Sequence, residues 1–201
     1  VSTVIDIATK VRKDGSGPQQ KDNMPDQVDW VDSMLSSNPE GRHSFVFSHK
    51  NLIGQNHKDN LFGNEIDAHA DSRDTFINSL NDNNTGYYIG GHDHMHHRSL
   101  VATADGLVKV PQLITSSNSY KFYTPKSGDG GRETPLQQEL YTIGYYIFTV
   151  DGPRVTVDFY SATHDQNYGS VKMDYCPALS AFYLRERFGY GLNGDRFEIA
   201  R

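Results

Sequence analysis

Cysteine is almost missing from this chain: Cys176 is the single one among 201 residues. One thiol cannot close an intrachain bridge, which excludes a disulfide framework and leaves the redox compartment undecided. Long hydrophobic runs are missing as well, and no apolar stretch approaches the ~20 residues that cross a bilayer as a helix. Basic residues are outnumbered, 19 Lys and Arg against 25 Asp and Glu, giving a formal charge of −6 and a pI near 5.8. That balance offers no general basic footprint for nucleic acid. It does not exclude an anionic substrate, because bound cations can reverse the local field. No signal peptide is visible, and the compartment is open. The chain starts at Val1 without an initiator Met, directly in a strand-like run, which reads as a processed or truncated start.

Aromatic residues are well supplied: twelve Tyr, ten Phe and one Trp, in a chain whose apolar fraction is only 36% and mean hydropathy −0.64. The length suits one domain with a real core. Val1 to Ala8 reads as a buried strand and Lys10 to Asn23 as a long exposed loop. Pro25 and Asp26 fit a helix start, followed by an apolar stripe of Val28, Val31 and Leu35 with Trp30 and Met34 at its flank. Ser44 to His49 is a second strand, about Ser72 to Leu80 a second helix, and Tyr87 to Gly90 a third strand. Strand, helix, strand, helix, strand predicts a parallel α/β sheet with ligands at the carboxyl ends of its strands. Beyond Arg98, Leu100–Thr103 and Leu107–Val110 predict a hairpin, Pro111 an interruption, and Ser116 to Leu136 a loop. Tyr145–Val150 and Val155–Tyr160 predict a second hairpin, with Tyr146, Phe148 and Val150 paired to Val155, Val157 and Phe159. This antiparallel half is expected to close a second sheet over the first. The expected organisation is one domain portion over 1–175 and an extension over 176–201, helical over 178–188 and loose at its end.

The most informative stretch is Tyr87-Tyr88-Ile89-Gly90-Gly91-His92-Asp93-His94-Met95-His96-His97-Arg98. A strand runs into two glycines, and four histidines follow within six residues. In an extended segment i and i+2 project to one side, so His92 and His94 can address one place. Imidazole is the commonest neutral metal ligand. The plain alternative is a histidine-rich surface loop that binds metal adventitiously. His49 ends a neighbouring strand and is the third candidate ligand, against a histidine satisfied by a backbone carbonyl. His96, His97 and Arg98 are candidates to meet a substrate phosphate, since guanidinium offers bidentate hydrogen bonds; the alternative is a solvated loop edge. His43, His57, His69 and His164 read as surface or structural.

With these residues placed, the chain resembles the calcineurin-like metallophosphoesterase superfamily, in its C-terminal half. Gly91-His92-Asp93-His94 matches the G-H-x-H motif, His49 the single-histidine motif before it, and Gln27 to Leu35 the Q-x-x-W-[LV]-x-x-x-L helix. Arg98, four residues after His94, is similar to the branch that includes purple acid phosphatases. The resemblance implies a four-layer αββα sandwich: parallel βαβαβ followed by antiparallel hairpins. It implies hydrolysis of phosphomonoesters or phosphodiesters by a metal-bridging hydroxide, on two cations of Mn, Fe or Zn type about 3.5–4 Å apart. His49 and His92 would hold one metal and His94 help hold the other. The family's D-x-H, G-D and G-N-H motifs are absent from their places. Gly63-Asn64-Glu65, Asp67-Ala68-His69 and Gly194-Asp195 are out of order and read as chance matches. Two explanations stay open. Either the missing N-terminal portion comes from the same precursor or another chain, leaving this chain alone inactive, or the scaffold is a degenerate relative that binds metal or partners without chemistry.

Overall fold

Parallel pairing organises the first half of the chain. The computed structural model describes residues 3–7, 24–64, 68–118, 121–126, 131–162 and 182–198. Strands β1 (Thr3–Ile7), β2 (Ser44–Ser48) and β3 (Tyr88–Gly90) lie side by side and parallel. Helix α1 (Val28–Ser36) separates the first two and α2 (Ala70–Asp82) the last two. Pro25 opens a single 3-10 turn ahead of α1, with Asp26 in that turn. Val28, Val31 and Leu35 are buried along one stripe of α1, while Trp30 and Met34 face solvent. Phe76, Ile77 and Leu80 are buried on α2, as their spacing predicts.

The chain then turns back on itself. Strand β4 (His96–Ala102) runs antiparallel to β5 (Lys109–Ile114), and β5 inserts between β4 and β3, parallel to β3. Strand β6 (Glu133–Glu139) closes the sheet on β4, giving the order β1-β2-β3-β5-β4-β6. Four antiparallel strands make a second sheet: β7 (Gly144–Asp151), β8 (Arg154–Ala162), β9 (Phe182–Gly191) and β10 (Arg196–Glu198), in the order β10-β9-β8-β7. The β7–β8 register pairs Tyr146 with Phe159, Phe148 with Val157 and Val150 with Val155.

Two cores follow from this order. Ile5, Val46 and Tyr88 of the first sheet pack with α1 and α2 on one face. Phe45, Tyr87, Ile89 and Leu113 of the other face meet Val155, Val157, Phe188 and Tyr190 of the second sheet. The described residues thus form an α/β arrangement of helices, sheet and sheet. Tyr145 and Ile147 on β7 are 44% and 46% exposed, and no helix covers them among the described residues. No described helix is long and apolar enough to cross a membrane.

Four expectations are corrected. Residues 133–136 belong to strand β6 rather than a loop; alternating burial is hidden there because most of the strand is exposed. Phe182–Phe188 is strand, not helix, its apolar residues being paired across to β8, and Arg196–Glu198, within the part expected to be loose, forms β10. Pro111 does not interrupt β5: it lies opposite Leu100, one residue before β5 begins to pair with β3. The expected loop at Lys10–Asn23, His164 and residues 178–181 fall outside the described residues.

Candidate functional site

Because β2, β3 and β5 are parallel, their carboxyl ends open on one edge of the first sheet. His49 directly follows β2, and Gly91-His92-Asp93-His94 directly follows β3. The Nδ1 of His92 lies 3.1 Å from Nε2 of His49, with ring centroids 4.9 Å apart. His49, His92 and His94 line one cavity of about 340 Å³ together with Ser116, Ser117 and Tyr146. The segment carrying the two G-H-x-H histidines is not extended. His92 (φ 68°) and His94 (φ 52°) are both left-handed, so the expected i, i+2 strand geometry is corrected to a tight turn. Non-glycine residues in that region concentrate at functional sites. Gly90 is required where it stands, since a Cβ there would collide with the side-chain amide of Asn51.

A pinned loop flanks the histidines. Gln112, buried on β5, accepts hydrogen bonds from the backbone N–H groups of Leu52 and Ile53 and donates to the Ile53 carbonyl. Asp93, fully buried, accepts from Asn51 Nδ2, from the N–H groups of Gln55 and His57, and from His57 Nδ1 at 2.6 Å. The His57 ring lies against His92 with centroids 4.2 Å apart. Asp59, on the same loop, sits 3.0 Å from His92 Nε2 and 3.6 Å from Lys50 Nζ. Burial works against its charge, but the hydrogen bond from His92 and the nearby Lys50 outweigh it and hold its pKa below the ordinary value. A carboxylate can only accept, so Nε2 of His92 carries the proton; in the neutral ring Nδ1 is then the acceptor, facing His49 Nε2. His94 is held the other way round: its Nδ1 donates to the Lys121 carbonyl at 2.8 Å, which leaves Nε2 unprotonated. Burial lowers the His94 pKa and keeps the ring neutral.

The donor set fits a cation in part. Two nitrogens each ~2.1 Å from one metal lie about 3.0–3.4 Å apart for tetrahedral or octahedral angles. The His49–His92 pair satisfies that separation. Among the described residues, however, no group of three or more His, Cys, Asp or Glu side chains is arranged to hold a metal ion.

His97 and Arg98 do not join the site. They belong to β4 rather than to a loop, and their side chains are 1% and 3% exposed. His97 Nε2 meets Glu133 Oε1 at 2.9 Å. Arg98 binds Glu186 and Glu198, donates to the Tyr87 hydroxyl and covers the Phe188 ring at 4.3 Å. Neither residue lines the cavity of His49, His92 and His94, and Arg98 joins the two sheets. His57, Asp59 and Asp93 were the residues sequence reasoning missed. Asp93 had a signal, being the variable position inside G-H-x-H; the other two come close only through the fold of the loop.

No protein-family profile matches the sequence, and no curated protein sequence does. Among solved structures, the chain superposes on PhoD with a TM-score of 0.57 at 14% identity, over 98% of this chain and 41% of PhoD. It superposes on the purple acid phosphatase PPD1 of yellow lupin (Lupinus luteus) with a TM-score of 0.50 at 9% identity, over 80% of this chain and 31% of that one. The chain shares a fold with the matched parts of these two structures. It spans less than half the length of either of these metallophosphoesterase-type structures, and at such identities the likeness is one of fold.

Proposed function

We propose that the chain is part of a metal-dependent phosphoesterase acting on phosphomonoesters or phosphodiesters. In this reading His49 and His92 are two ligands of one cation, His94 is a ligand of a second, and the remaining ligands come from outside the described residues. The supporting observation is the 3.1 Å approach of the His49 and His92 nitrogens at the carboxyl ends of adjacent parallel strands, on a metallophosphoesterase-type fold. When bound, cations of Mn, Fe or Zn type supply Lewis-acid activation of water and stabilise charge developing at phosphorus. The chain's own residues supply ring nitrogens of His49, His92 and His94 and a polar cavity wall of Ser116, Ser117 and Asn118. The complete domain in this reading is the four-layer αββα sandwich, with a further helical layer over Tyr145 and Ile147.

A second reading is a metallophosphoesterase scaffold that keeps a metal half-site without chemistry. The lack of a third convergent ligand among the described residues favours it. Elemental analysis after chelator-free purification, followed by turnover of a chromogenic phosphate mono- and diester in added Mn²⁺, separates the readings. Bound metal with turnover supports the first; the second is supported by bound metal without turnover in the full-length protein, because this chain alone is expected to be inactive in either reading. Absence of metal from the wild type, with the His92→Ala variant indistinguishable from it, contradicts both.

A further inference from the structure

We propose that Asp59 is a positioning residue that fixes the imidazole of His92 with Nδ1 facing the cation shared with His49. The inference rests on the metal role proposed for His92 and extends it to a residue in the loop between β2 and α2. His92 has two ring nitrogens, and only one can point toward His49 with a lone pair. Asp59 Oδ1, 3.0 Å from Nε2, selects which one. Carboxylate partners of this kind orient metal-bound histidines and strengthen them as donors.

The orientation is built in before any metal arrives. Asp59 reaches His92 from a loop whose two halves are tied down independently: Gln112 holds Leu52 and Ile53, and Asp93 holds Gln55 and His57. Asn60 continues the restraint, its Oδ1 accepting from the Gly54 N–H at 2.7 Å and its backbone pairing with Gly63. Lys50 lies 3.6 Å from the other carboxylate oxygen, which leaves Oδ1 for the ring. The G-H-x-H segment therefore organises its own support. Asp93, between the two candidate ligands, fastens the loop that returns Asp59 to the first of them.

Zn²⁺ titration of the 201-residue chain against a competing chelator, with wild type, Asp59→Ala, Asp59→Asn and His92→Ala, tests this directly. Asp59→Ala is expected to weaken Zn²⁺ about 10–100-fold. Asp59→Asn keeps an acceptor for Nε2–H and is expected to recover most of that loss. Nitrogen-15 spectra of the metal-free chain should show His92 protonated at Nε2 in the wild type and as mixed tautomers in Asp59→Ala. Zn²⁺ affinity in Asp59→Ala within twofold of wild type overturns the proposal, as does equal weakening in the Ala and Asn variants or a wild-type His92 protonated at Nδ1. If wild type binds no more Zn²⁺ than His92→Ala, the metal role itself fails. If those two differ but Asp59→Ala matches wild type, only the positioning role fails.

Discussion

Replacing Arg98 by Ala separates the two sheets' main polar link, and its consequence can be worked from the contacts. The guanidinium is 3% exposed and bridges Glu186, at 11%, and Glu198, at 63%. The Glu198 limb is open to solvent and contributes little. The Glu186 limb is the important one: removing the cation leaves a mostly buried carboxylate on β9 with His96, 2.8 Å away, as its partner among the described residues. Breaking a buried pair from one side costs about 3–5 kcal/mol. At about 2–4 °C per kcal/mol for a chain of this size, the melting temperature falls by about 6–20 °C. The assay is thermal and urea unfolding followed by circular dichroism. The double variant Arg98→Met, Glu186→Leu removes both charges and is expected to regain most of the loss. A single variant within about 1 kcal/mol of wild type would refute the buried inter-sheet role, since losses that small are typical of surface pairs.

Other expectations follow from the same geometry. Burial holds the His96 pKa below its usual value despite the hydrogen bond to Glu186. The unfolded chain therefore takes up that proton at higher pH than the folded chain, and stability falls as pH drops below about 6.5. The Glu186 pKa is also held low, by His96 and Arg98 against its burial, so a second loss follows as the pH falls below the ordinary carboxylate range. Melting temperatures measured from pH 7.5 to 4 should decline throughout, with His96→Gln flattening the upper part; a maximum near pH 5 contradicts the assignment. Asp93→Ala strands the N–H groups of Gln55 and His57 and should cost about 1–3 kcal/mol, with faster hydrogen exchange at those two amides. Gly86→Ala drives a Cβ into the Tyr190 ring and should destabilise by about 1–3 kcal/mol, with partial relief by Tyr190→Leu in unfolding titrations.

Much of the fold was legible because period and burial agree. The α1 stripe buries the residues that its spacing singles out, and β7 and β8 pair in the register their alternation predicts, with Val155, Val157 and Phe159 buried, Tyr146 and Phe148 half-buried and Val150 exposed. The reading failed where neighbours decide. β6 is mostly exposed, and Phe182–Phe188 carries three charges in seven residues, so neither shows the alternation of a half-buried strand. At the site, the strand-end histidines were readable from the residues that precede them. Arg98 was misread because its position after a histidine cluster suggested a loop, whereas β4 begins at His96 and turns the guanidinium inward. Asp59 was invisible for a different reason. Its place beside His92 depends on anchors from Gln112, 53 positions later in the chain, and from Asp93, and no local pattern records them.

The most direct test of the central claim is a crystal structure of the chain soaked in Zn²⁺, with the ion located by its anomalous scattering. The account predicts a peak within about 2.0–2.1 Å of both His49 Nε2 and His92 Nδ1. A Zn²⁺ peak held by other nitrogens, or no peak between these two rings, contradicts it.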